Sequence, residues 1–193
     1  HGFQGVERAA AHRLLSPAGF QVDLLPFGAV ERPDRTIAWP PDDDPVMTTL
    51  GFSEILQWAV GVRLPDGVRA EVASPAGITL LKVIAWADRP PRDAEDIGFL
   101  LRNYIDAGNQ HRFYDDEQLL KDTDGDRRLA GAILLGRDTA SMLDEPSLAH
   151  VQNIVAREAD PSGALRLAGE INRHDPDTAL RLIGGLHDGL GGR

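Results

Sequence analysis

The chain has 193 residues, with 20 basic and 30 acidic side chains and a formal net charge of −10. A broad, unspecific nucleic-acid binder carries a basic surface, so any nucleic-acid contact of this chain should be local. The sequence has no cysteine, which excludes disulfides, a thiolate nucleophile and Cys-ligated zinc and agrees with a reducing cytoplasm. No apolar run approaches the ~20 residues of a membrane span, so we expect a cytoplasmic protein that does not enter a membrane.

A β-hairpin is predicted near the N-terminus. Residues 12–15 and 20–27 flank a short segment that contains Pro and Gly, which is typical of a hairpin turn. The two-residue period of a strand places Asp23 in the middle of the second arm, between apolar neighbours. Residues 31–48 are rich in Pro and Asp and predict a loop, with one short strand at 37–39.

The middle of the chain changes from strand to helix. Residues 51–59 fit either a helix or a strand, and residues 68–72 alternate as a strand does. Pro75 suits the first turn of a helix that runs to about Asp88, where two consecutive prolines stop it.

A second helix follows the two prolines. Asp93 is predicted to cap a helix that runs to Tyr104, and Asp96 lies at the third position after the cap. A capping role is a sufficient explanation for at least one of these two acids.

The C-terminal part is predicted to be helical. Residues 115–122 indicate a short helix and residues 127–143 a longer amphipathic one. The pattern Asp-Pro-x-x-Ala-Leu-Arg-Leu occurs at 160–167 and again at 175–182. Each copy predicts an N-cap aspartate, a proline at the first helical position and a short helix, so we expect two short antiparallel helices.

Lys82 lies in the middle of an apolar helix and is one of only two lysines, beside Lys121. Burying an ammonium group is costly unless an anion meets it, so Lys82 is a candidate for holding a phosphate or a carboxylate. Two alternatives are a side chain that extends along the helix to water and a purely structural ion pair. Arg89 and Arg92 are either phosphate contacts or partners for the nearby acids.

Five segments together resemble the nucleotidyltransferase-fold proteins of the AbiEii/AbiGii toxin type. Their order and spacing carry the likeness, which extends from about residue 12 to residue 143. The segments are VDLLPFG at 22–28, GF at 51–52, LLKVIAWADR at 80–89, RDAEDI at 92–97 and AGAILLGR at 130–137.

The resemblance implies an α+β fold in which a nucleotidyltransferase-like mixed sheet has flanking helices and a helical C-terminal part. A partial nucleotidyltransferase-like domain would occupy residues 1–110 and the helical region residues 111–193. The implied activity is transfer of a nucleoside monophosphate from an NTP to an RNA, such as tRNA, or to a protein hydroxyl, with Mg²⁺, as a toxin that has an antitoxin partner. The alternative is a catalytically silent module that binds a nucleotide or a partner protein.

The resemblance also implies roles for individual residues. Asp23 matches an acidic position that binds the metal or activates the attacking hydroxyl, although a strand aspartate that merely faces water is the alternative. Lys82 and Arg89 would contact the nucleotide phosphates, and Asp93 or Asp96 would orient the lysine or the catalytic aspartate.

One part of the family pattern has no counterpart here. A Gly-Ser turn followed by an Asp-x-Asp pair precedes this region in the family, and none is found upstream of Asp23. The chain begins with His1 rather than Met, so we expect it to start inside a longer protein or at a processed end, and the missing pair to lie upstream if the protein is an enzyme.

Overall fold

The computed structural model has an α+β fold in which helix predominates. The chain divides into two compact units, an N-terminal unit His1–Ser53 and a C-terminal unit Glu54–Arg193. The boundary predicted at residue 110 lies inside the C-terminal unit. The structure describes residues 2–6, 12–39, 43–44 and 46–191.

Two antiparallel sheets form the N-terminal unit. Strands β1 (Gln4–Gly5), β2 (Arg13–Leu15) and β3 (Gln21–Asp23) make a three-stranded sheet, and β4 (Thr36–Ala38) pairs with β5 (Val46–Thr48). The β2–β3 hairpin confirms the predicted hairpin. The short strand expected at 37–39 is β4, which begins one residue earlier.

The prediction that Asp23 lies in the middle of a strand is wrong. Asp23 is the last residue of β3 and stands directly opposite Arg13, the first residue of β2. One further backbone hydrogen bond follows, from the N–H of Leu24 to the carbonyl of His12 at 2.7 Å. Pro26, three residues after Asp23, then lacks the N–H that a ladder needs. The side chain of Asp23 is about one-third exposed.

The strands beyond the N-terminal sheets form a third small sheet. Helix α1 (Phe52–Gln57) crosses the boundary between the units and resolves the ambiguous segment as a helix. Strands β6 (Val60–Arg63) and β7 (Arg69–Val72) form an antiparallel hairpin. The described residues therefore contain three antiparallel sheets, and the single mixed sheet that we predicted is not found among them. One short turn joins β2 to β3 and another joins β6 to β7, whereas parallel pairing needs a long crossover.

The C-terminal unit is a helical assembly around one apolar core, in which a short 3₁₀ turn (Tyr104–Asp106) follows the second long helix. Its largest fully buried side chains include Leu80, Ile97, Leu135 and Ile183. No helix in the described residues combines the length and the apolar character needed to cross a bilayer. The helices are α2 (Pro75–Asp88), α3 (Ala94–Asn103), α4 (Gln110–Asp115), α5 (Glu117–Asp122), α6 (Arg127–Ser141), α7 (Glu145–Ala159), α8 (Arg166–Ile171) and α9 (Pro176–Gly189).

Helices α6 and α9 approach each other closely because glycines face each other at their crossing. A Cβ atom on Gly136 would collide with the carbonyl of Leu186 and the backbone of Gly189. A Cβ atom on Gly189 would collide with the carbonyl of Ile133. Only residues without a side chain allow this backbone contact.

The repeated Asp-Pro motif forms a helix in only one of its two copies. Asp175 caps α9 by accepting a hydrogen bond from the N–H of Thr178, as predicted. Asp160 instead ends α7, and its side chain accepts hydrogen bonds from the N–H and hydroxyl of Ser162. This local turn competes with helix formation, so α8 begins only at Arg166 and the prediction is wrong for the first copy.

Candidate functional site

Lys82 bridges two carboxylates. It lies in the second half of α2, and its Nζ atom is 2.5 Å from Oδ1 of Asp93 and 2.7 Å from Oδ2 of Asp96. The hydrogen bond to Asp93, and then that to Asp96, raise the pKa of Lys82 above its ordinary value. The side chain remains 30% exposed. An ammonium group has three N–H donors, so one is still available after both carboxylates are bound.

The predicted capping pair does not form. Asp93 occupies the N-cap position of α3, but its side chain makes no capping hydrogen bond. Its φ of 75° is in the left-handed region, which aspartate adopts more readily than most residues. Both Asp93 and Asp96 direct a carboxylate oxygen to Lys82, because a charged partner makes a stronger hydrogen bond than a backbone N–H.

The two arginines near these acids do not pair with them. Arg89 lies at the surface, with Nε 3.3 Å from Oδ2 of its neighbour Asp88, and does not reach the Lys82 cluster. Arg92 has no hydrogen-bond or ion-pair partner within the described residues. Lys82, and neither arginine, is therefore the cation that pairs with these acids.

A long-range contact beside Lys82 was missed from the sequence. Trp86, one turn further along α2, donates from Nε1 to Oε2 of Glu170 at 2.6 Å. Nε of Arg166 donates to the other oxygen of Glu170 at 3.0 Å. The partners Trp86 and Glu170 are 84 residues apart in sequence. The helix predicted for the first Asp-Pro copy was expected to begin directly after Asp160, whereas α8, which carries Glu170, begins at Arg166.

Asp23 belongs to the N-terminal unit, where both of its carboxylate oxygens bind Arg13. Nε of Arg13 is 2.8 Å from Oδ1, and Nη2 is 2.9 Å from Oδ2. These hydrogen bonds hold the pKa of Asp23 below its ordinary value. The pairing is the bidentate geometry that suits a guanidinium and a carboxylate.

Asp23 also lines a cavity of about 470 Å³ in the N-terminal unit. His12 and Trp39 line it too, with ring centroids 4.7 Å apart. Magnesium is bound by hard oxygen ligands, and within the described residues no three His, Asp or Glu side chains come together as a metal site. Asp23 alone supplies one carboxylate, and Arg13 occupies both of its oxygens.

A second charged cluster connects α4 and α6 to the 3₁₀ turn. Arg112 donates from Nη1 and Nη2 to the carboxylate of Asp138, at 2.6 and 2.8 Å, and the hydroxyl of Tyr104 also donates to Asp138. Burial opposes ionisation of Asp138, but the hydrogen bonds from Arg112 and Tyr104 outweigh it and lower its pKa. Arg112, Tyr104 and Asp138 thus bind one another within the protein, which indicates a structural role.

Comparison with known proteins adds no family or relative. No family model, no curated protein and no solved structure matches the chain.

Proposed function

We propose that the protein is a nucleotidyltransferase-like protein of the AbiEii/AbiGii type, which transfers a nucleoside monophosphate from an NTP to a hydroxyl group. The acceptor is an RNA, such as tRNA, or a protein side chain. One observation supports this most: Lys82 is held between Asp93 and Asp96, within the two motifs that carry the resemblance most strongly. A cation fixed by two carboxylates, with one donor left, is suited to meet a phosphate.

The reaction divides into roles for the residues of this chain. The acceptor hydroxyl attacks the α-phosphorus, pyrophosphate leaves, and the hydroxyl proton passes to a base. Such transfer depends on positioning and on stabilising charge rather than on covalent chemistry by the protein. In this proposal Lys82 donates its third N–H to a phosphate oxygen, and Asp93 and Asp96 fix the position of its ammonium group.

Asp23 has the second role in the proposal, as the base or as one magnesium ligand. Magnesium, when bound, neutralises phosphate charge. Either role requires that Asp23 exchange at least one hydrogen bond from Arg13 for the new partner. Arg89 is the remaining phosphate contact that the resemblance implies, and its exposed position leaves its guanidinium accessible to a ligand.

The same resemblance supports the biological part of the proposal. The protein acts as a toxin on cytoplasmic RNA, uses the cellular NTP pool and is held in check by an antitoxin protein. A catalytically silent module that binds a nucleotide or a partner protein is the second candidate. The bidentate bond between Arg13 and Asp23 favours it, because it occupies the carboxylate that the chemistry needs.

The test uses the two lysines of the chain as a matched pair. Lys82→Met removes the cation of the cluster, whereas Lys121→Met removes an exposed lysine that lies 3.8 Å from Glu117. Transfer of label from an NTP to total RNA in the presence of magnesium is measured. We expect that Lys82→Met lowers the initial rate by about 100-fold or more, as loss of charge stabilisation does, and that Lys121→Met leaves it unchanged.

Two outcomes would contradict the proposal. Equal rates for wild type and Lys82→Met would remove Lys82 from the site, provided that circular dichroism shows both proteins folded. Nucleotide binding without transfer to RNA or to protein would leave the silent module as the function.

A further inference from the structure

A cleft opens beside the Lys82 cluster in the C-terminal unit. Its volume is about 560 Å³, within the range of pockets that bind small molecules and cofactors. One wall is the segment 91–96, which leads from α2 into the first turn of α3, and the other is the segment 170–174, which leads from the end of α8 towards α9. Asp93 and Asp96 are thus shared between the Lys82 cluster and the cleft.

Most acceptor groups on the cleft walls are already bound. Asp93 and Asp96 bind Lys82. Glu170 accepts hydrogen bonds from Trp86 and Arg166. The side-chain oxygen of Asn172 accepts from the backbone N–H groups of His174 and Asp175, at 3.1 and 3.2 Å.

The donor groups on the same walls are free. The side chains of Arg92 on one wall and of Arg173 and His174 on the other have no hydrogen-bond or ion-pair partner within the described part of the chain. The N–H groups of Glu95 and Asp96 at the start of α3 also lack an acceptor among these residues, because the side chain of Asp93 does not cap the helix. The unpaired hydrogen-bond donors of the cleft are therefore suited to an anion that is rich in acceptor atoms.

We propose that this cleft binds the triphosphate of a nucleoside triphosphate, with Arg92 and Arg173 holding it from opposite walls. A guanidinium group presents paired N–H donors that match two phosphate oxygens. His174 and the free N–H groups of α3 contribute further donors. The cleft by itself supports a site for an anion. That the anion is a nucleotide rests on the proposed function, and it extends phosphate binding beyond Lys82.

Glu95 makes the proposal sharper. It is the exposed carboxylate on the cleft that has no partner within the described residues, so it repels a bound anion. Removing its charge should strengthen triphosphate binding, while removing an arginine weakens it. Opposite changes in triphosphate affinity from substitutions at Arg92 and Glu95, two neighbouring surface residues, are difficult to explain by loss of folding.

The experiment is titration calorimetry of the whole chain with inorganic triphosphate and, separately, with ATP, at physiological salt and without magnesium. Arg92→Gln and Arg173→Gln remove one cation from each wall. Arg128→Gln is the matched control, because Arg128 is exposed at the start of α6 and lies outside the cleft. Glu95→Gln removes the repelling charge.

We expect that Arg92→Gln and Arg173→Gln each weaken triphosphate binding by about tenfold or more, the loss typical of a charge-assisted hydrogen bond. Arg128→Gln should bind as the wild type does, and Glu95→Gln should bind more tightly. No triphosphate binding by the wild type would overturn the proposal, as would equal weakening by Arg128→Gln. Tighter binding of ATP than of triphosphate would support a nucleotide as the ligand, and equal affinity would reduce the site to one for free polyphosphate.

The outcomes separate this inference from the transferase proposal. Arginine-dependent triphosphate binding without any nucleotidyl transfer would support the anion site in the cleft and contradict the transferase proposal. If Arg92→Gln and Arg173→Gln transfer nucleotide as fast as the wild type at limiting NTP, the transferase proposal is supported and the cleft is not part of its active site.

Discussion

Lys82 stabilises the fold because its ammonium group binds two acids at the start of another helix. Its partner Asp93 is 16% exposed and Asp96 is 60% exposed, so the pair with Asp93 carries more of the energy than the more solvated one. Without the cation, two carboxylates at the start of α3 would face each other. Lys82 thus has a structural role whether or not a nucleotide binds.

Lys82→Met should lower the free energy of unfolding at pH 7 by about 1–2 kcal/mol, between the values typical of exposed and of buried pairs. Urea unfolding of the wild type and the variant measures it. Lys82→Met/Asp96→Asn should recover part of the loss, because it removes one of the two unpaired charges. A loss that the second substitution does not relieve would indicate that packing, not charge, is responsible.

The pH dependence of this contribution has a definite sign. The pKa of Lys82 is higher in the folded protein than in the unfolded chain. The stabilisation is therefore complete below the unfolded pKa of about 10.4 and is lost as the pH rises through the folded value. The difference in stability between the wild type and Lys82→Met should accordingly narrow in alkali and persist at pH 6–9.

At the scale of elements, the sequence predicted those helices whose start and end signals are local. Pro75 and the pair Pro90–Pro91 delimit α2 at Pro75–Asp88, as expected. Asp160 carries the same local signal as Asp175, yet it forms a turn, and sequence alone does not distinguish the two. The bond from Trp86 to Glu170 depends on where α8 lies, so no local pattern could predict it.

The sequence predicted the residues of the Lys82 cluster but not which of them pair with each other. Lys82, Asp93 and Asp96 were all selected from the sequence, and the structure brings these three together. Arg92 was expected beside the acids, but the left-handed conformation of Asp93 and the course of α3 decide which cation reaches them. The opposite wall of the cleft, with Arg173 and His174, carried no sequence signal.

The crossing of α6 and α9 provides a prediction at the scale of elements. Gly136→Ala should lower the free energy of unfolding by about 3 kcal/mol or more, because its Cβ atom meets rigid backbone rather than a flexible side chain. Gly184→Ala, on the same α9 helix, has nothing within 4 Å of the added atom and should stabilise the protein by about 0.5–1 kcal/mol. Thermal unfolding measures both. Similar effects of the two substitutions would show that helix propensity, not close approach, determines the outcome.

At the scale of the whole molecule, the apolar core is unevenly distributed. Among the described residues, Ile37 is the buried apolar side chain of the N-terminal unit, and all others belong to the C-terminal unit. With so little apolar surface buried by its described residues, the N-terminal unit has little to offset the entropy of ordering its chain. The C-terminal unit, by contrast, has the core of an independent domain.

We therefore expect that residues 54–193, expressed alone, retain helical circular dichroism and unfold cooperatively. Residues 1–53 alone should show no cooperative unfolding transition. Thermal melts of the two segments and of the whole chain test this difference. A gradual, non-cooperative melt of residues 54–193 would show that the C-terminal unit needs the remainder of the chain in order to fold.

The most direct test of the proposed chemistry is the fate of the two ends of the triphosphate. The protein is incubated with magnesium and RNA, and with ATP, CTP, GTP or UTP labelled at either the α- or the γ-phosphate, and the labelled RNA is counted. Nucleotidyl transfer predicts that the α-label of at least one nucleotide enters RNA and that its γ-label leaves as pyrophosphate, in a reaction that Lys82→Met slows by about 100-fold or more. Entry of the γ-label into RNA, or no entry of either label into RNA or protein, would contradict the account.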